Sequence, residues 1–233
     1  MDKVNRFREA FSDCVKFIMF RADDELWARV GIPHCIIGFI TTWMVGIGRN
    51  WDFPKAPMFA KLGLPSVVYV FILSLILFLM AWPVSKVRMN YWKLLTLISM
   101  TAGPGLVYAI PVEKFLSPQM AQYTNLWFLA IVALWRVSLA FYIFVRAAKN
   151  SGYIATAIIL TPICAVIMGL VSSGRAGYVI EFMGGVDRDQ TQNSAVNDVI
   201  ATLYCFSWPV LLVALIIWIS AVFGRKPDED AKE

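Results

Sequence analysis

The stretch LAIVALWRVSLAFYIFV, residues 129–145, decides the fold class of this chain. It carries one charged residue, Arg136, with apolar side chains on both sides. One helical crossing of a bilayer needs about 20 mostly apolar residues, and the apolar run around this stretch extends over residues 126–145. The stretch therefore predicts a membrane-spanning helix with an arginine near its middle.

The composition of the whole chain agrees with a membrane location. Of the 233 residues, 59% are hydrophobic and only 16% are charged, whereas soluble domains are about a quarter charged. The mean hydropathy is +0.64. The net charge of +5 does not indicate a nucleic-acid partner, because the lysines and arginines are spread over the ends of apolar runs, where membrane topology places them.

Six apolar runs follow one another along the chain, at residues 30–48, 65–84, 94–111, 126–145, 153–172 and 200–223. Helices are expected, because backbone polar groups in lipid must be satisfied within their own segment. The runs also lack the alternating polarity of a membrane β-barrel. We therefore predict an all-α integral membrane protein with a six-span transmembrane bundle over residues 30–223. Residues 224–233 are expected to form a disordered, charged cytoplasmic tail.

An N-terminal amphipathic interfacial helix is predicted within residues 1–29. Its apolar residues recur at steps of three and four: Val4, Phe7, Phe11, Cys14 and Ile18. Polar and charged residues are assigned to the other face: Arg6, Arg8, Glu9, Ser12, Asp13 and Lys16. This pattern is typical of a helix that lies in the headgroup layer. A helix packed on a soluble partner would have the same pattern.

The distribution of basic residues predicts the orientation of the bundle. The N-terminal segment and the segments after the second, fourth and sixth runs hold most of the lysines and arginines. The positive-inside rule then places both termini in the cytoplasm. The short loops favour a bacterial inner membrane.

The segment GIGRNWDFPKAP, residues 46–57, falls on the outer side in this topology. One helical turn would bring Arg49 and Asp52 together, and a tryptophan between them suits a membrane interface. We predict an outer-face lip formed by Arg49, Trp51 and Asp52. Either the lip ties down a helix end through an ion pair, or it contacts a lipid headgroup or a partner.

Arg136 is the most informative single residue, because a charge near the bilayer centre costs about 2.5–3.5 kcal/mol on insertion scales. Such a residue usually faces the bundle interior or a wet cavity. Its candidate carboxylate partners are Glu113 and Glu181. The sequence leaves two alternatives open: a structural role, by ion pairing or snorkelling, and a site for an anionic headgroup or substrate.

A break is predicted in the third run, which contains Gly103, Pro104 and Gly105. The proline cannot donate a helix hydrogen bond and clashes with the preceding turn, so the helix is expected to kink or end near residues 100–104. Membrane transporters use broken helices as binding sites. Proline and glycine are, however, also ordinary in membrane helices.

No recognisable catalytic or metal-binding motif occurs in the sequence. The four cysteines form no CxxC pair, so neither a disulfide framework nor a zinc site is expected. His34, the single histidine, is expected to be hydrogen-bonded packing. No cofactor is expected. A lipid-modifying enzyme is the minor alternative, and it would use Arg49, Asp52, Glu113 and Glu181.

Two stretches carry a family resemblance: YWKLLTLISMTAGPGLVYAIPVEKF, residues 91–115, and NLWFLAIVALWRVSLAFYIFVRAAKNSGYIATAIILTP, residues 125–162. Together they resemble the YIP family of polytopic, Rab-GTPase-interacting membrane proteins and its bacterial relatives. That family has five spans and a longer soluble N-terminus, unlike the pattern here. The resemblance implies a non-enzymatic role in membrane organisation, without implying GTPase binding by this chain.

The leading hypothesis is a non-enzymatic inner-membrane protein, either a complex subunit or an organiser of the bilayer. Its expected partners are membrane lipids and a membrane protein or a second copy of itself. The alternative is a small transporter or channel for an anionic solute or lipid, using Arg136 and the broken third span.

Overall fold

The computed structural model describes residues 3–51, 57–174 and 194–224. Within these ranges the chain is helical and contains no strand. The α-helices are α1 (Lys3–Ile18), α2 (Asp24–Arg29), α3 (Ile32–Asn50), α4 (Met58–Lys61), α5 (Leu64–Ala81), α6 (Tyr91–Met100), α7 (Pro118–Arg146), α8 (Gly152–Ser172) and α9 (Ser194–Phe223). Two 3₁₀ segments, Gly103–Ala109 and Val112–Lys114, connect α6 to α7.

Four helices in the described part of the chain are long and apolar enough to cross a membrane. They are α5, α8, most of α7 from Gln119, and α9 from Val199. Their outer surfaces carry large exposed apolar side chains such as Leu79, Leu134 and Ile216. These features are consistent with an integral membrane protein, because lipid-facing side chains need no protein contact.

The first and third predicted runs do not form long apolar helices like these four. The first is α3, a 19-residue helix that is not among the four candidate spans of the described residues. In the third run, α6 ends at Met100 after 10 residues, and the 3₁₀ segment begins at Gly103. The predicted helix break is therefore confirmed, and its physical cause is Pro104, which cannot continue the α-helical hydrogen bonds.

The core of the bundle is built around α6. Leu94, Leu95, Leu97 and Ile98 are almost completely buried. Helix α3 lies alongside α6 and the first 3₁₀ segment, and small residues line the contact. At Gly48, for example, an added Cβ would lie only 2.9 Å from the Cβ of Ala109. Small residues of this kind let helix backbones approach closely in membranes.

Helix α1 packs against the bundle through one side, and this corrects the face assignment made from the sequence. Asp13, which the sequence pattern assigns to the polar face, is only 1% exposed, and Cys14 and Phe17 are buried beside it. The exposed apolar side chains lie on an adjacent side: Val4, Phe7, Phe11 and Val15. The prediction missed this division because helical periodicity identifies apolar positions without identifying which element covers them.

Aromatic side chains of α7 and α9 donate hydrogen bonds to carbonyls at or just after the ends of α1 and α5. The Trp135 Nε1 group donates to the Ile18 carbonyl at 3.0 Å, and the Tyr142 hydroxyl donates to the Ala22 carbonyl at 3.0 Å. Trp218 Nε1 likewise donates to the Met80 carbonyl at 2.8 Å. The Ile18 and Met80 carbonyls lie in the last turns of α1 and α5, where no intrahelical donor is present, and Ala22 lies in the segment after α1. The three bonds satisfy these carbonyls and join the end of α1 to α7, and α9 to α5.

Candidate functional site

Arg49 and Arg136, which the sequence placed in separate sites, lie close together in the structure. The Cζ atom of Arg49 is 5.0 Å from the centroid of the Tyr108 ring, and the two side chains are hydrogen-bonded. The Cζ atom of Arg136 is 5.8 Å from the centroid of the Tyr69 ring. Arg49 also interacts electrostatically with Arg136 and Tyr69. We call these four residues the arginine–tyrosine cluster.

Four elements contribute one residue each to the cluster. Arg49 comes from the last turn of α3, Tyr69 from α5, Tyr108 from the first 3₁₀ segment and Arg136 from α7. The arginine on α3 lies at a helix C-terminus, where the dipole favours a positive charge. Both arginines and Tyr108 are half-buried, whereas Tyr69 is 50% exposed. The cluster is therefore built within the bundle and open on the side of α5.

Glycines bring the walls of the cluster together. A Cβ on Gly105 would lie 2.8 Å from the Val45 side chain, so the 3₁₀ segment approaches α3 here as it does at Gly48. This approach carries Tyr108 to the end of α3, next to Arg49. Pro104 is buried and Gly103 lies against the Ile18 side chain. The predicted Gly103–Gly105 break thus shapes a wall of the cluster.

The outer-face lip is described only in part. Trp51 is 47% exposed, and the Lys114 Nζ atom lies 4.9 Å from the centroid of its ring. Asp52 lies outside the described residues, and so does its predicted ion pair with Arg49. Glu113 belongs to the second 3₁₀ segment, Val112–Lys114, but its pairing with Arg136 lies outside what the structure describes, as does Glu181.

Sequence reasoning did not identify Tyr69 and Tyr108. Tyrosines are common in apolar runs, so neither residue stands out in the composition of its run. The signal that was available is the position of Tyr108, four residues after a proline that ends a helix. A segment that is not α-helical can place a polar side chain inside a bundle.

A second polar cluster joins α1, α2 and α3. The Asp13 carboxylate accepts two hydrogen bonds from Arg29, from Nε to Oδ2 and from the second guanidinium nitrogen to Oδ1, both at 2.7 Å. His34 Nε2 lies 3.2 Å from Asp13 Oδ2. The amide of Gly31 donates to His34 Nδ1 at 3.3 Å. Because Nδ1 accepts a hydrogen bond, Nε2 carries the ring N–H and donates a hydrogen bond to the carboxylate.

Two opposing effects set the protonation of Asp13. Burial alone would raise the pKa of its carboxyl group, but the hydrogen bonds from Arg29 and His34 outweigh burial and hold that pKa below its ordinary value. Asp13 is therefore ionised at neutral pH and anchors α1 to the start of α3. The expectation that His34 is hydrogen-bonded packing is confirmed.

The side chains described here offer no cluster of three or more histidine, cysteine, aspartate or glutamate residues that could hold a metal ion. Comparisons with protein-family models, with curated proteins and with solved structures gave no match to the chain. The arginine–tyrosine cluster is consequently the feature from which a function can be argued.

Proposed function

We propose that the protein is a non-enzymatic polytopic membrane protein that binds the anionic headgroup of a membrane lipid at the arginine–tyrosine cluster. The observation that carries the proposal is the convergence of Arg49 and Arg136, from helices 87 positions apart in the chain, onto one place. By composition the four side chains of the cluster supply two positive charges and no negative charge.

Electrostatics favours an anion at this place. Two guanidinium groups repel each other, and the repulsion is stronger where burial excludes water. Each tyrosine ring offers a cation–π contact worth about 0.5–2 kcal/mol, which stabilises the arginine beside it. An anion between them converts that repulsion into two attractions.

The chemistry of the donors favours a phosphate. Guanidinium groups present paired N–H donors that match phosphate and carboxylate oxygens, and a tyrosine hydroxyl can add a further donor. The half-exposed Tyr69 opens the cluster toward the outside of α5, a helix that is apolar enough to span a membrane. A ligand entering there comes from the bilayer, which favours a lipid headgroup over a dissolved ion.

The proposal includes the predicted six crossings. Helix α3, with 19 residues, would span about 28 Å at 1.5 Å per residue. The 10 residues of α6 and the 7 of the first 3₁₀ segment would together span about 29 Å. Both lengths are close to the roughly 30 Å of a bilayer's hydrocarbon core. Both termini would then face the cytoplasm of a bacterial inner membrane.

The proposal also treats α1 as an interfacial helix. Its exposed apolar side chains, Val4, Phe7, Phe11 and Val15, adjoin a polar side while a third side packs on the bundle. A helix at the edge of a bundle would in this way contact protein, lipid and water through three separate faces. The resemblance to the YIP family supports the same role in membrane organisation and remains a sequence-based prediction.

Lipid titration followed by native mass spectrometry tests the proposed site. Wild type is expected to bind phosphatidylglycerol more tightly than phosphatidylcholine. Arg136→Gln and Arg49→Gln should each weaken phosphatidylglycerol binding about ten- to a hundredfold, because a hydrogen bond to a charged group is worth about 1.5–3 kcal/mol. Arg88→Gln is the matched control, since its Cζ atom lies 5.8 Å from the Trp82 ring centroid, away from the cluster. Unchanged binding in both cluster variants would remove the proposal.

Transport of an anionic solute is the second candidate, favoured by the helix break beside Tyr108. Measuring the flux of a water-soluble anion, such as glycerol phosphate, into proteoliposomes distinguishes transport from lipid binding. The transport hypothesis predicts flux that Arg136→Gln abolishes, and the lipid-binding proposal predicts none.

A further inference from the structure

A groove lies between α7 and α8, on the face of α7 opposite to Arg136. Its volume is about 440 Å³, which is within the range of about 300–1,000 Å³ found for ligand sites. Successive residues on a helix are 100° apart, so Ser138, Phe141 and Val145 point away from the arginine–tyrosine cluster. The walls are mostly apolar: Phe20, Val137, Phe141, Val145, Ile159 and Leu160.

The turn after α1 forms one wall, and it is held in an unusual conformation. Phe20 has a φ of 59°, a left-handed conformation that bulky residues rarely adopt. The carbonyls of Ile18 and Ala22, two positions before and after it, accept hydrogen bonds from α7 side chains. These bonds hold the Phe20 ring edge-on to Tyr142, with ring centroids 5.6 Å apart. The groove is therefore pre-formed, and the backbone strain serves to place this ring.

The end of the groove near the α7–α8 connection is also fixed. Asn150, which is buried, donates to the Ser85 hydroxyl at 3.0 Å and accepts from the Lys86 amide at 3.2 Å. The Val87 amide donates to the Ala148 carbonyl at 3.2 Å. These bonds join the connection to the segment that follows α5. Arg146, the last residue of α7, is exposed and lines the groove at this end.

We infer that this groove binds one acyl chain of an anionic phospholipid, whose phosphate lies on Arg146. The apolar part, from Val137 to Val145, is about 12 Å long at 1.5 Å per residue, which suits part of an extended hydrocarbon chain. The walls formed by α7 and α8 belong to helices apolar enough to span a membrane, so the occupant enters from the bilayer. The site is independent of the arginine–tyrosine cluster.

Charge selects an anionic lipid. Arg146 presents a guanidinium fork suited to phosphate, at a helix end whose dipole already favours a cation at that place. Arg21 follows Phe20 and Lys149 follows Arg146 by three positions, and both are exposed. Basic residues at the end of a span are attracted to anionic headgroups on the cytoplasmic surface, which is the side that the sequence predicts for this end of α7.

Photo-crosslinking tests the groove. The full chain is placed in lipid nanodiscs with phosphatidylglycerol that carries a diazirine in one acyl chain, and the labelled peptides are mapped by mass spectrometry. Cross-links are expected to concentrate on residues 137–160. Ser138→Trp, which fills the groove, should reduce them about fivefold or more, because displacing the added side chain costs about 1 kcal/mol or more. Leu79→Trp, which places the same side chain at a lipid-facing position of α5 that is 60% exposed, is the matched control and should leave them unchanged.

A second variant tests the headgroup contact without changing the apolar walls. Arg146→Gln should reduce the preference for phosphatidylglycerol over phosphatidylcholine about fivefold, the effect of one basic residue near an anionic surface. Arg136→Gln should leave cross-linking in the groove unchanged, since it faces the other side of α7. Cross-links spread evenly over all lipid-facing helices, or equal labelling in Ser138→Trp and wild type, would overturn the inference. Cross-links lost in Arg136→Gln would overturn the independence of the two sites.

Discussion

Replacing Asp13 with asparagine is expected to loosen the N-terminal region from the bundle. The carboxylate makes two 2.7 Å bonds to Arg29 and faces His34, and its own side chain is 2% exposed. Removing one partner of a fully buried pair costs about 3–5 kcal/mol. The Arg29 side chain is 42% exposed and regains water when released, so we expect a smaller loss, about 2–3 kcal/mol.

Thermal unfolding in detergent measures this loss. For a chain of this size, 1 kcal/mol corresponds to about 2–4 °C in Tm, so Asp13→Asn should lower Tm by about 4–12 °C. Glu25→Gln is the matched control: its carboxylate lies 3.8 Å from the same arginine but is 87% exposed, and the change should alter Tm by less than about 2 °C. Equal, small shifts in the two variants would refute the view that Asp13 anchors α1.

Three further predictions concern the acid response of Asp13, the packing at Gly48 and the burial of Cys14. The pKa of Asp13 in the folded protein lies below its ordinary value of 3.8. The contribution of Asp13 to stability is therefore fully present above pH 3.8 and disappears as pH falls through the folded pKa. Acid unfolding curves should show this loss of stability in wild type and not in Asp13→Asn. Gly48→Val should push the 3₁₀ segment away from α3 and weaken phosphatidylglycerol binding about tenfold, because a Cβ there already meets Ala109 at 2.9 Å; wild-type affinity would count against this packing. Burial raises the pKa of the Cys14 thiol to about 12, so an alkylating reagent at pH 8 should label Cys14 only after denaturation, and rapid labelling of the folded protein would contradict its burial.

The long helices could be predicted from hydropathy alone. The runs at 65–84, 153–172 and 200–223 correspond to Leu64–Ala81, Gly152–Ser172 and Ser194–Phe223, because the cost of placing each residue in lipid is a local property. The break before the 3₁₀ segment was also predictable, since a missing amide donor acts where the proline stands.

The arrangement of the polar side chains could not be predicted in the same way. Arg49 and Arg136 meet through the close approach of α3 to a 3₁₀ segment, which depends on contacts between distant parts of the chain. The sequence pattern assigns Asp13 to a polar helix face, whereas in the structure Arg29 and His34, 16 and 21 positions later, enclose it. A single sequence records which residues are polar, and packing decides which of them meet.

A double-mutant cycle on Arg49 and Arg136 tests the central claim most directly. Binding of phosphatidylglycerol is measured for wild type, Arg49→Gln, Arg136→Gln and the double variant. If both guanidinium groups hold the same anion, the losses are non-additive, with a coupling energy of about 1 kcal/mol or more. Losses that add, with a coupling energy near zero, would show that the two arginines do not share a ligand.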